Sequence, residues 1–288
     1  MPRITKNVLG KMTLTVMFLL ACTGSLAVGT VATVIEALAP PRYDVALGNV
    51  PEPTAAAWSI VDAETGEILA ERNPDIPYPI ASVTKLSAAT VIAARDDLFS
   101  TTTVIWADLA ADGRAGRLRA ADEYDLHTLL FPLLLESSND AAATLSRTEP
   151  SLVEDMNAFA LNAGLAHTAF ADASGLSPGN VSTAADLAAF LHTIYTDDRH
   201  VLDITELPSY LTRENGWLNN NPFVGIPAYA GGKHGYTPEA GHTAVAIFHE
   251  TMRGGYTRSI GYVLLESEDL VGDMEQLRAY VSTNISYK

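Results

Sequence analysis

Ser82-Val83-Thr84-Lys85 sets a hydroxyl and an amine three residues apart, a spacing that puts both on one face of a helix. Such a pair can make an activated nucleophile, because a serine hydroxyl attacks poorly until a neighbouring base takes its proton. The bland alternative is an N-cap serine followed by a surface lysine, and a chain of this length holds about one such tetrapeptide by composition alone. The lysine inventory decides between them. Between Lys11 and the terminal Lys288 the only lysines are Lys85 and Lys233, and every other cation in that interval is arginine. On a surface arginine serves as well. Arginine cannot be deprotonated in a protein, whereas a buried lysine can become a general base. Lys85 just after Ser82 therefore reads as catalytic.

Two further clusters carry polar groups into apolar surroundings. Ser137-Ser138-Asn139 follows the run Leu129-Leu130-Phe131-Pro132-Leu133-Leu134-Leu135. Hydroxyls and an amide buried there are costly unless they have partners or a task; the alternative is a capping turn between two helices. Lys233-His234-Gly235 follows Gly231-Gly232 and precedes an apolar strand. Gly235 would let a substrate backbone approach a strand edge closely, and the alternative is an ordinary turn with a solvated lysine. Metal chemistry finds no support: the seven histidines are scattered without an H-E-x-x-H pair, and the single cysteine, Cys22, lies in an apolar N-terminal run. No metal or other cofactor is expected.

The elements that must position these residues follow from periodicity. Trp58 to Val61 and Glu67 to Ala70 read as strands around the turn Ala63-Glu64-Thr65-Gly66. Ser82 to Arg95 has almost no polar face, which marks a buried helix. Leu126 to Ser146 and Leu152 to Ala163 read as two further helices, and Ser182-Thr183 can cap another from Ala184 to Tyr195. Strands return at Thr243 to His249 and Ser259 to Leu265, separated by a Gly254-Gly255 turn, and a last helix covers Met274 to Ser282. Strands at both ends with a helical middle predict an α/β fold of the α+β type: an antiparallel sheet flanked by helices, with an inserted helical subdomain.

With the three clusters in this order, the chain resembles the penicillin-binding proteins and serine β-lactamases, whose signature is S-x-x-K, S-x-N and K-T-G. The text around them is similar to the D-alanyl-D-alanine carboxypeptidase branch, the low-molecular-mass penicillin-binding proteins of peptidase family S11. The matching stretches include Pro79 to Lys85, Leu133 to Ala142, Asp172-Ala173-Ser174-Gly175-Leu176-Ser177, Ser182 to Leu187 and Lys233-His234-Gly235-Tyr236-Thr237, and the likeness covers roughly Ala56 to Tyr280. It implies a β-lactamase/transpeptidase-like fold. It also implies roles: Ser82 as nucleophile, Lys85 as base, Ser137 as proton relay, and Asn139 orienting Lys85 and the substrate amide. The backbone N–H groups of Ser82 and Tyr236 would hold the oxyanion, and Lys233 with His234 would bind the substrate carboxylate. Lys85 must then be neutral, which burial and the charge of Lys233 both favour. The implied partners are peptidoglycan stem peptides ending in D-Ala-D-Ala, with β-lactams as inhibitors. One departure stands out: His234 occupies the place of the family's threonine and brings a larger side chain that ordinarily titrates near neutrality. Three neighbouring readings remain: a D,D-endopeptidase of the same family, a serine β-lactamase, and a non-catalytic module that binds peptidoglycan or β-lactams. For the β-lactamase, Glu154 to Asn157 supplies a Glu and an Asn after the second motif, but within a helical pattern.

The rest of the chain sets the context. With 288 residues, 48% of them hydrophobic, there is enough material for one large domain. A formal net charge of −16 argues against nucleic acid as a partner. Arg3, Lys6 and Lys11 precede an uncharged apolar stretch from Met12 to Ile35. This is the pattern of a membrane anchor or export signal, long enough to cross about 30 Å of hydrocarbon, with the cations on the cytoplasmic side. The expected organisation is an anchor or signal over 1–39, an extended linker over 40–55, and a D,D-peptidase domain over 56–288, outside the cytoplasmic membrane.

Overall fold

The computed structural model describes residues 43–46, 50–113, 115–197 and 199–287; the segment 1–39, read above as anchor or signal, lies outside them. In chain order the strands are β1 (Tyr43–Val45), β2 (Ala57–Asp62), β3 (Ile68–Arg72), β4 (Tyr78–Pro79), β5 (Thr101–Thr103), β6 (Glu123–Asp125), β7 (Val181–Ser182), β8 (Ser209–Leu211), β9 (Gly216–Leu218), β10 (Tyr229–Thr237), β11 (Gly241–Thr251), β12 (Thr257–Ser267) and β13 (Ile285–Tyr287). The helices are α1 (Thr84–Ala93), α2 (Leu126–Leu135), α3 (Asn139–Thr148), α4 (Leu152–Asn162), α5 (Ala184–Thr196), α6 (His200–Glu206) and α7 (Leu270–Asn284).

The main sheet runs β10-β11-β12-β2-β3, antiparallel throughout. Its central strands are buried on both faces, and the alternation of the pleat divides their side chains between two cores. Val61, Val245, Ile247, Val263 and Leu265 face the helical side, where α1, α2 and α5 pack. Trp58, Ile60, Phe248, Tyr262 and Leu264 face α7. The sheet is thus sandwiched between one helix from the C-terminus and a helical layer inserted between β3 and β10, as the strand–helix–strand order predicts.

Several local expectations are met. Asp62 accepts the N–H groups of Glu64 (2.8 Å) and Thr65 (3.0 Å) to close the β2–β3 turn, where Gly66 takes φ +75°. Thr183 caps α5 by accepting the N–H of Asp186 at 3.1 Å. Others differ. The stretch Leu126 to Ser146, expected as one helix, is two: α2 ends at Leu135, Ser137 takes φ +58°, and the Ser138 hydroxyl caps α3 by accepting from Ala141 N–H at 3.0 Å. The polar cluster is therefore the joint between two helices as well as a motif. Residues 40–55, expected as linker, contain β1, which pairs with β13.

Candidate active site

Ser82 sits in a single turn of 3-10 helix, Ala81–Val83, that leads directly into α1. The residue before that turn is held from two sides. Ile80 N–H donates to Asn180 O at 3.0 Å, and Thr243 Oγ1 on β11 donates to Ile80 O at 2.9 Å. Ala81 has φ +46°, unusual for a residue with a side chain. Two glycines make room for it: a Cβ on Gly175 would lie 2.0 Å from Ala81 O, and one on Gly235 would lie 2.5 Å from Ser82 N. By its place at a strand edge, Gly235 is expected to admit a substrate backbone. In the fold its missing side chain first admits the backbone of Ser82.

Lys85 lies one turn further on, fully buried. Its Nζ is 3.0 Å from Ser82 Oγ, 2.8 Å from Asn139 Oδ1, and also contacts the carbonyl of Ser174. The orientation of the Asn139 amide is fixed, because its Nδ2 donates to Asp112 O at 2.6 Å. Asn139 Oδ1 and a backbone carbonyl can only accept. A neutral amine has two N–H bonds and one lone pair, so these acceptors use both hydrogens and leave the lone pair for the Ser82 hydroxyl. Burial pushes the Lys85 pKa down to about 7, against the opposing charge of Asp172. In this arrangement a neutral Lys85 amine can accept a proton from the Ser82 hydroxyl.

The Ser174 carbonyl was not singled out from sequence. It is aimed by Asp172, whose Oδ1 accepts the N–H groups of Ser174 (2.7 Å) and Gly175 (2.6 Å) and whose Oδ2 accepts Ser177 N–H at 2.7 Å. Burial alone would raise the Asp172 pKa, but the hydrogen bonds from Ser177, Ser174 and Gly175 hold it below the usual carboxylate value. The signal was present as an aspartate two and three residues before Ser-Gly, the pattern of a side-chain-closed turn.

Ser137 stands at the α2–α3 joint beside Asn139, but it is not among the hydrogen-bond partners of Lys85 or Ser82 in the described residues. The joint itself is pinned. Ser138 Oγ donates to Ala115 O at 2.6 Å, and Glu136 accepts Gly116 N–H at 3.0 Å and Leu218 N–H at 3.1 Å.

Lys233, His234, Gly235 and Tyr236 lie along β10, the edge strand of the main sheet. Lys233 is buried, and its Nζ donates to His234 O at 2.7 Å. Its pKa falls well below the ordinary lysine value through burial and then through the charge of Lys85. His234 does not titrate near neutrality as its residue type suggests. Burial first, then the charges of Lys233, His242 and Lys85, push it down to about 3. Its Nδ1 is buried without a hydrogen-bond partner. Tyr236 is exposed, with its ring 4.7 Å from that of His242 on β11. Among the described residues no group of His, Cys, Asp and Glu could hold a metal ion.

A family model described as D-alanyl-D-alanine carboxypeptidase, peptidase family S11, matches residues 45–265. The chain belongs to the S11 peptidase family. This family comprises serine-type D-Ala-D-Ala peptidases and penicillin-binding proteins. A D-alanyl-D-alanine endopeptidase of Pseudomonas aeruginosa is 33% identical over 168 residues, 56% of this chain and 54% of that protein, so the chain spans about half that relative's length. The D-alanyl-D-alanine carboxypeptidase DacB2 of Mycobacterium tuberculosis is 32% identical over 220 residues, 72% of this chain and 75% of that protein. The crystal structure of a D-alanyl-D-alanine carboxypeptidase from Mycobacterium tuberculosis matches this S11 peptidase with a TM-score of 0.73 at 28% identity, over 82% of this chain and 95% of that one. The fold is accordingly transpeptidase/β-lactamase-like, with its antiparallel five-stranded sheet.

Proposed function

We propose that this S11 peptidase is a D-alanyl-D-alanine carboxypeptidase that trims peptidoglycan stem peptides through an acyl-enzyme on Ser82. The observation that carries this reading is the Lys85 amine, 3.0 Å from Ser82 Oγ with its two hydrogens engaged elsewhere. Ser82 Oγ gives its proton to Lys85 Nζ and bonds to the carbonyl carbon of the penultimate D-alanine. The oxyanion is held by the backbone N–H groups of Ser82 and Tyr236, donors typically worth about 3–4 kcal/mol of barrier each. As the C–N bond breaks, the proton on Lys85 passes through the Ser137 hydroxyl to the leaving amine. Asn139 keeps Lys85 aligned. Water then hydrolyses the ester and restores Ser82. Lys233 and His234 receive the terminal carboxylate, His234 as a neutral imidazole that can donate a hydrogen bond. The same reading places the domain outside the cytoplasmic membrane, held or exported by the segment 1–39.

The test is mass analysis of products from a defined pentapeptide and a cross-linked dimer, with peptide mapping of the adduct formed by penicillin. Release of free D-alanine and an adduct on Ser82 are expected. The Pseudomonas relative's endopeptidase activity makes cleavage of the dimer alone the specific competing outcome. Rapid, complete release of hydrolysed penicillin would instead mark a β-lactamase, and an adduct on Ser137 or Ser138 would overturn the assignment of Ser82.

A further inference from the structure

Three consecutive asparagines, Asn219-Asn220-Asn221, follow β9, and each is tied to a different element. Asn219 Nδ2 donates to Thr205 O (2.7 Å) and Leu207 O (2.9 Å) at the end of α6. Asn220 N–H donates to Leu135 O at 2.9 Å, and its Nδ2 to Glu136 O, on the peptide that leads into Ser137, at 3.1 Å. Asn221 is buried, and its Nδ2 reaches Gly232 O, on the peptide that leads into Lys233, at 3.3 Å. One short run thus touches the segments that carry the second and third motifs.

Gly232 is gripped at both of its backbone groups. Its N–H donates to Thr205 Oγ1 at 2.8 Å, and that hydroxyl donates its own hydrogen to Leu202 O at 2.7 Å. Its carbonyl lies 3.3 Å from the Tyr229 hydroxyl as well as from Asn221 Nδ2, and Asn221 also donates to Tyr229 Oη at 3.0 Å. The Asn221 amide is oriented, because its Oδ1 accepts Phe223 N–H at 3.1 Å. Thr205, Asn221 and Tyr229 are all buried, so removing one of their polar groups leaves a partner unpaired with no water to replace it.

The grip falls where β10 is irregular. Its pairing with β11 shifts register between Tyr229 and Gly232, and Gly231 and Gly232 take φ +105° and +145°. A bulge re-aims the side chains beside it, and the next side chain is that of Lys233. We propose that Thr205, Asn221 and Tyr229 are positioning residues: they fix the Gly232 peptide at the bulge and so aim Lys233 at the substrate carboxylate, with Asn221 anchored through Asn220 to the segment that carries Ser137. The part played by Lys233 rests on the reading of the site proposed above; the grip on Gly232 does not.

The experiment compares acylation of Ser82 by benzylpenicillin and by its methyl ester, in which the carboxylate is blocked, for the native protein, Thr205→Val and Thr205→Ser. Valine keeps the shape and loses the hydroxyl, whereas serine keeps the hydroxyl. Native protein is expected to prefer the free carboxylate by about tenfold or more, the scale of a hydrogen bond to a charged group. Thr205→Val is expected to lose about threefold or more of that preference, and Thr205→Ser to stay within about twofold of native. A purely structural role would lower both rates equally, so an unchanged preference in Thr205→Val overturns the proposal, as does an equal loss in Thr205→Ser. Hydrogen exchange at Gly232 N–H decides the grip without any ligand. Faster exchange in Thr205→Val than in native protein supports it, and equal protection rejects it. If native protein is not acylated, or shows no preference for the free carboxylate, the reading of the site fails at Ser82 or at Lys233, while the exchange result still decides the grip. Should Thr205→Val not fold, Tyr229→Phe, which removes only a hydroxyl from the same network, takes its place: a loss of preference of about threefold supports the proposal, and a native preference overturns it.

Discussion

Lys85 makes three contacts, and their chemistry matters more than their number. Two partners are obligate acceptors, and the third is the hydroxyl to be activated. Lys85→Arg keeps a cation but cannot accept a proton at neutral pH. Acylation by penicillin is expected to drop by about 10²–10⁴-fold with the circular dichroism spectrum retained; near-native acylation would move the base elsewhere. If Lys85 is the base, as proposed, only its neutral form acts, and with its pKa pushed down to about 7 the rate should rise with pH through that value and lose about tenfold per unit well below it. His234 behaves otherwise. With its pKa pushed down to about 3 in the free protein, it stays neutral wherever activity is measurable. The pH dependence of kcat/KM reports groups of the free enzyme. His234→Thr is therefore expected to change KM while leaving the pH profile of kcat/KM unmoved above about pH 5. An acid-favoured component lost in that variant would show instead that the imidazole carries charge in the free site.

At the scale of elements, Ser82, the proposed nucleophile, is placed by a crowded crossing of three backbones. The 3-10 turn at Ala81–Val83, the loop closed by Asp172 and the edge strand β10 meet where Gly175 and Gly235 lack side chains. Positive φ at Ala81 and Ser137 puts local strain at two of the three motifs, which packing around them must offset. Gly235→Ala would set a Cβ 2.5 Å from Ser82 N, displacing the nucleophile or the strand. A shift of order 1 Å can cost about 10²-fold in rate, so acylation should fall by that order with a modest change in melting temperature. Gly175→Ala combines φ +86° with a 2.0 Å clash on Ala81 O, and is expected to cost about 1–3 kcal/mol or more in denaturant unfolding as well as activity. Full acylation by both variants would mean that this crossing does not set the geometry of Ser82.

Across the whole domain, the ends of the folded chain are tied together on the α7 side. β1 pairs with β13, and the Tyr43 hydroxyl donates to buried Asp62, which also binds Arg258 at 2.7 Å. Buried Asp273 on α7 accepts from Thr54 N–H (2.7 Å), Thr54 Oγ1 (2.8 Å) and Ala55 N–H (2.9 Å). A protein cut before Ala56 keeps the Asp62–Arg258 pair but loses β1, the Tyr43 hydroxyl and the three donors from Thr54 and Ala55 to Asp273, leaving buried carboxylates short of donors. Relative to one beginning at Tyr43 it should lose about 2–4 kcal/mol of stability, read as a lower urea midpoint. Equal midpoints would show that residues 43–55 only connect. Farther out, the charge asymmetry around Met12 to Ile35 leads us to expect full-length protein in the membrane fraction with the domain accessible to external protease.

The sequence by itself marked strands β2, β3, β11 and β12 and helices α1, α4, α5 and α7, because their patterning is local. Period-two and apolar runs follow from side-chain direction along strands and helices, and a lysine just after Ser82 in an otherwise arginine-rich domain marks Lys85 as a group able to lose its proton. What needed the tertiary structure depends on atoms brought together from distant segments. The break between α2 and α3 is hidden in a continuous apolar run, because it is set by the positive φ at Ser137 and by Ser138 reaching Ala115. The Ser174 carbonyl has no side-chain signature, yet it supplies one of the acceptors that leave the Lys85 lone pair free. His234 looks like a neutral-pH switch as a letter, and only burial, with the charges of Lys233, His242 and Lys85, pushes its pKa down to about 3. Proton affinity is a property of surroundings, and the surroundings of each of these groups are assembled by folding.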